Sequence, residues 1–137
     1  MAFADAQANG VIDYGENEAE ITLASAAKVG DCIGWSSGWQ RALGTTAGVI
    51  PMRCVAGEDG ATGQRIKAYF GKVGLSGSRF SGGTAGAALY VAEGTSVGKY
   101  TETAPSTSGD STTKVGYMIS ANEAVLIPNR NPDTTAA

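Results

Sequence analysis

The chain of 137 residues has no histidine. That removes the commonest general base, the commonest metal ligand and every Ser-His or Cys-His nucleophile pair. The absence argues against an enzyme, and no metal or cofactor is expected. Two cysteines, Cys32 and Cys54, cannot complete a four-cysteine zinc site. Each lies in a strand-like run. They could form one disulfide or act as two small buried hydrophobes, and the second reading is favoured. Aromatic residues are sparse. No apolar run approaches the roughly 20 residues of a membrane-spanning helix, so no membrane partner is expected. The opening MAFADAQANG has neither a basic start nor an apolar stretch, so it does not read as a signal peptide, and folding in a reducing cytoplasm is expected. Net charge is −3, which provides no bulk basic field for direct nucleic-acid binding.

Glycine is abundant, at 20 residues, and threonine, serine and alanine are plentiful, while the apolar fraction of 42% is that of a folded protein. Many turn residues between short apolar runs predict an all-β protein of one domain. At 18–24, Ala19, Ile21 and Leu23 face one way and Glu18, Glu20 and Thr22 the other, which is the pattern of a half-solvated strand. At 64–70, Ile66, Ala68 and Phe70 alternate with Arg65, Lys67 and Tyr69 in the same way. Further short strands are predicted at 32–35, 39–43, 50–56, 87–91, 99–103, 115–119 and 123–127, where Pro128 ends the last one because it cannot donate to a ladder. About nine antiparallel strands in so short a chain predict a small, closed or nearly closed β-barrel or a sandwich over 18–128. Residues 1–17 read as an N-terminal arm and 129–137 as a loose tail.

Three patterns invite a site and fail on chemistry. Gly57 to Gly63 holds Glu58 and Asp59 but lacks the alternating oxygen ligands of a calcium loop. Gly94 to Lys99 is one residue short of a phosphate-binding loop, and no helix follows it. The glycine-rich 71–86 is no dinucleotide fingerprint for the same reason. That segment reads as a loop with Arg79 and Phe80 at its tip, too rich in glycine for a regular central strand except at Lys72 to Leu75. In the arm, Phe3, Val11, Ile12 and Tyr14 are apolar anchors without a period, suited either to a frayed terminus or to an arm ordered by a partner. Trp35 and Trp39 flank a tight turn and could cap a core or form a binding platform. Charge is polarised: residues 1–31 carry six acids and one base, residues 32–82 six bases and two acids. The polarity can be internal, or it can set register between copies packed head to tail.

The run AGAALYVAEGTSVGKYTETAPSTSGDSTTKVGYMISANEAVLIPN resembles the closing module of tailed-bacteriophage head-decoration, or capsid cement, proteins. The matching pieces are Leu89-Tyr90-Val91, Thr101 to Pro105, Ser108-Gly109-Asp110, Val115-Gly116-Tyr117 and Leu126 to Asn129. Val29-Gly30-Asp31 with Ile33, and Val55 to Gly60 with Gln64-Arg65-Ile66, are similar to the first half of that family. The resemblance implies a β-barrel or β-tulip that sits on the outer capsid as a homotrimer and clamps neighbouring major capsid proteins. It implies no catalytic residue. The expected partners are the major capsid protein and the chain itself, with Phe3, Val11, Ile12, Tyr14, Arg79 and Phe80 as the contact residues. A similar closing module occurs in phage tail fibres, so a virion adhesin that binds host glycan through Trp35, Trp39 or Tyr90 is the alternative.

Overall fold

The computed structural model describes residues 10–45, 48–77, 80, 82–94, 97–128 and 132–137. Among them the chain is all-β: two antiparallel sheets and no α-helix. Five strands form one sheet in the order β2-β6-β5-β3-β4: β2 (Glu18–Thr22), β6 (Arg65–Tyr69), β5 (Cys54–Ala56), β3 (Cys32–Trp35) and β4 (Trp39–Arg41). Six form the other in the order β1-β7-β11-β10-β8-β9: β1 (Val11–Gly15), β7 (Val73–Ser76), β11 (Glu123–Leu126), β10 (Gly116–Ser120), β8 (Ala88–Val91) and β9 (Tyr100–Thr101). The strands number eleven where nine were expected. The two additions, β1 and β7, come from the segments read as an arm and a loop.

Among the described residues no continuous ladder closes either sheet into a barrel. The five-stranded sheet curls until its ends meet at one isolated bridge, where Leu23, just past β2, lies beside Trp39 of β4 and Ala24 N–H donates to Trp39 O at 2.7 Å. On the enclosed face, a small core gathers Ile21, Leu23, Ala27, Ile33, Cys54, Ala56, Ile66 and Ala68, all buried. The alternation of 18–24 and 64–70 creates this face. Ile21 pairs with Ile66 and Ala19 with Ala68, while Glu20 and Arg65 form an ion pair on the other side. The acidic strand β2 therefore lies beside the basic strand β6, and part of the charge polarity is satisfied within one chain.

The larger core lies between the sheets. It joins Cys32, Met52 and Val55 to Val73, Leu75, Leu89, Val91, Met118 and Leu126, with Phe80 and Tyr100 as its largest members. Burying these side chains stabilises by about 25 cal/mol per Å² of apolar area removed from water. The Tyr100 hydroxyl donates to Gly30 O at 2.8 Å, so its one polar atom is satisfied. Both cysteines are buried and no disulfide joins them, as the favoured reading had it. Burial pushes the Cys54 thiol up to about 12.

Two further expectations are corrected. Val11–Gly15 is an edge strand paired with β7, so the arm is shorter than 1–17. The tail is not loose over 132–137. Thr135 bridges Ser111, Ala136 N–H donates to Asp110 O at 2.8 Å, and Asp133 takes two hydrogen bonds from Arg53 at 3.0 and 2.6 Å. Expected strands 87–128 do form four neighbouring strands, β11-β10-β8-β9, within one sheet.

Candidate functional site

Strand β10 decides where to look. Its inward residues, Gly116 and Met118, are buried, and its outward residues, Tyr117 and Ile119, are also apolar. A strand that is apolar on both faces is built to be covered on both. The neighbouring strands continue the outward surface in register. Tyr14 lies opposite Gly74, Gly74 opposite Val125, Val125 opposite Tyr117, and Tyr117 opposite Ala88. One cross-strand row therefore runs through β1, β7, β11, β10 and β8. Val11, opposite Ser76, and half-buried Tyr90 extend it. Among the exposed large hydrophobic residues, Val11 (61%), Tyr14 (45%), Tyr117 (41%) and Ile119 (59%) stand on this side. These exposed apolar side chains are gathered on one face rather than scattered over the surface.

Local sequence explains how the face is laid down. Gly74 has no side chain, and the Tyr14 ring takes the space: a Cβ there would lie 2.7 Å from Tyr14 Cδ2. A register shift between Ile12 and Tyr14 turns Ile12 into the core and Tyr14 outward. Lys72 Nζ stands 5.8 Å from the centre of the Tyr14 ring, a cation–π contact. Beside Tyr117, a recess of about 350 Å³ continues toward the tail between Thr112, Lys114, Pro132 and Thr134.

The structure separates the residues expected at the contact surface. Val11 and Tyr14 are on the face, and Ile12 packs against the inter-sheet core beneath it. Phe80 is corrected: it is not at a loop tip but fully buried, 5.8 Å from the Tyr100 ring centre. A phenyl group among glycines and serines looks exposed in sequence, yet the turn closed by Gly83 N–H onto Phe80 O folds it inward. Phe3 and Arg79 lie outside the described residues. Tyr117 and Ile119, exposed on the same side, were not among the expected contact residues, although the apolar alternation of 115–119 was the available signal.

A second exposed group is aromatic. Trp35 pairs directly with Trp39 across β3 and β4, with ring centres 5.3 Å apart and planes at 80°. Trp39 meets Phe70 edge to face at 5.6 Å and packs against the small core, while Trp35 is exposed (59%). Of the two, Trp39 thus covers the core, as one of the two readings had it, and Trp35 is left exposed.

Among the described residues, no group of three or more His, Cys, Asp and Glu could hold a metal ion. Glu93 stands beside the buried Asp110. Desolvation, then the Asp110 charge and a hydrogen bond to it, raise the Glu93 carboxyl above its usual range.

No family model, curated protein or solved structure matches this chain.

Proposed function

We propose that the protein is a non-catalytic structural protein of a bacteriophage virion, binding the outer capsid as a homotrimer and clamping neighbouring major capsid proteins. The outward face of the six-stranded sheet is the docking surface in this reading, and it meets the major capsid protein. The observation that carries it is the apolar row from Tyr14 through Val125 to Tyr117, with Val11 and Ile119 beside it. The closing-module resemblance supports the same reading, because its residues supply β8 to β11 of that sheet. The curled five-stranded sheet is the barrel-like body that holds the face rigid. Each such contact is weak on its own, and many symmetry-related copies on one shell multiply it.

Purified protein mixed with undecorated capsids tests the reading. Saturable binding in multiples of three at local three-fold positions is expected. The double variant Tyr117→Asp, Ile119→Asp should keep its circular dichroism and lose that binding, since it places two charges in the buried patch. Undiminished binding by the folded variant would sink the assignment of the face. Exposed Trp35 favours a second reading, a virion adhesin that stacks host glycan on the indole. Binding to host glycan that Trp35→Ala abolishes, with none to capsids, would establish that one instead.

A further inference from the structure

At the end of the small core is a cleft of about 380 Å³ lined by Ala26, Ala27, Lys28, Arg41, Asp59, Gly60, Ala61 and Gln64. Its form follows from the register. Arg41 lies opposite Ile33, a member of the small core, so its side chain leaves the sheet on the enclosed face. There a guanidinium replaces the next apolar residue. Its stem is held by Gly98, where a Cβ would stand 2.9 Å from Arg41 Cδ and Cγ. Gly98 also has φ of 79°, which an L side chain rarely adopts, so the position is doubly suited to glycine. The Arg41 Nε–H is buried and has no hydrogen-bond partner among the described residues. Buried polar groups are nearly always paired, so an orphan on a charged donor indicates a missing acceptor.

We infer that this cleft is a carboxylate-binding site, with Arg41 as the fork that receives the two oxygens. Three features choose a carboxylate over other anions. Guanidinium offers Nε–H and an Nη–H side by side, matching the two oxygens of a planar carboxylate. Lys28 and Arg41 against Asp59 give two positive charges and one negative, a surplus of one, which suits a monoanion better than a phosphate dianion. Methyl groups of Ala26, Ala27 and Ala61 provide a wall for an aliphatic stem. Other polar groups around the cleft are already engaged. Asp59 Oδ1 accepts from Val29 N–H at 2.8 Å, Gln64 Oε1 from Ala61 N–H at 2.9 Å, and Gly60 N–H donates to Ala27 O at 3.0 Å. The carboxylate belongs either to a small molecule or to an Asp or Glu side chain of a docked protein. The site is separate from the apolar sheet face and does not depend on the function proposed above.

The test is a titration of the full chain, uniformly labelled with nitrogen-15, that follows the Arg41 Nε–H resonance. Acetate, a capped tripeptide with a central glutamate, and inorganic phosphate are the three probes. Acetate should move the resonance saturably, and Arg41→Lys, which loses the fork but keeps the charge, should weaken binding about tenfold or more when read by backbone amides around the cleft. Lys28→Met, at an exposed position, should weaken it several-fold without disturbing the fold. Tripeptide binding about tenfold tighter than acetate assigns the carboxylate to a protein side chain, and equal affinity assigns it to a small molecule. Phosphate binding as tight as acetate overturns the carboxylate assignment. A folded protein whose Arg41 resonance stays still with all three overturns the site.

Discussion

Replacing Gly74 by alanine should change its effect on stability with the residue at position 14. The three atoms nearest to a Cβ at Gly74 all belong to the Tyr14 ring, so a methyl group must lift the ring from its bed. Tyr14 is about half exposed. Of the roughly 200 Å² a tyrosine can bury, about 100 Å² is therefore at stake. At about 25 cal/mol per Å², and with the residual burial in an unfolded chain deducted, this is at most about 2 kcal/mol. Gly74→Ala alone should cost about 1–2 kcal/mol. In a Tyr14→Ala background that clash is gone, and φ at Gly74 is not in the left-handed region. There the same substitution should stabilise by about 0.4–1 kcal/mol through the entropy of the unfolded chain. Urea denaturation of the four proteins in the cycle, at one pH and with unchanged slopes, measures the coupling. The expected value is about 2 kcal/mol. Additivity within about 0.5 kcal/mol would refute the claim that the ring and the glycine form one unit.

Three further outcomes follow from titrating and buried groups. Cys54, with its thiol pushed up to about 12 and its side chain buried, should resist a thiol reagent at pH 8 until the chain unfolds, as absorbance of the released chromophore will show. Glu93 has a raised folded-state carboxyl, so its protonated form favours the fold, and its contribution falls as pH rises from the unfolded value through the folded one. Glu93→Gln should then raise the melting temperature at pH 7 and leave it unchanged at pH 3; equal shifts at both would exclude titration as the cause. Asp133 has the opposite sign. The hydrogen bond from Arg53, aided by its charge, holds that carboxyl below the usual range, so the pair stabilises above the unfolded value and is lost as pH falls through the folded one. Both partners are partly exposed, so Asp133→Asn should cost no more than about 1 kcal/mol, with hydrogen exchange rising at Ala136 and Thr112.

Much of the architecture was legible where one side of a strand meets water. Glu18 to Thr22 and Arg65 to Tyr69 alternate in sequence because one face carries charge and the other Ile21, Ile66 and Ala68. Legibility fails where that rule fails. Strand β1 was hidden by the register shift at Asp13, which interrupts the period of two. Strand β7 was legible only as the one strand-like piece, Lys72 to Leu75, of a glycine-rich loop, because the missing side chain of Gly74 is supplied by Tyr14 from another strand. A closed or nearly closed barrel or a sandwich was expected because so many strands usually remove or cover their edges, and two antiparallel sheets with a core between them are what forms. The exposed apolar face was half legible: the outward Tyr117 and Ile119 alternate plainly, but sequence alone does not say which side of β10 lies inside. Arg41 gave no signal at all, since an arginine ending a short strand ordinarily extends into solvent.

Strand β7 has a consequence for how the chain is made. It pairs with β11, Ser76 against Glu123, and these partners are 47 residues apart (123 − 76). At about 5–20 residues per second, a ribosome needs roughly 2 to 10 seconds to bring the second strand out after the first. Throughout that interval Val73 and Leu75 have no six-stranded sheet to enter, and one edge of β7 has no neighbour to pair with. Hairpins such as β10–β11 close within about 1–10 μs of release. The nascent chain therefore holds an open template for seconds and fills it almost at once, which makes synthesis, rather than the mature fold, the stage at which this protein is most exposed to aggregation.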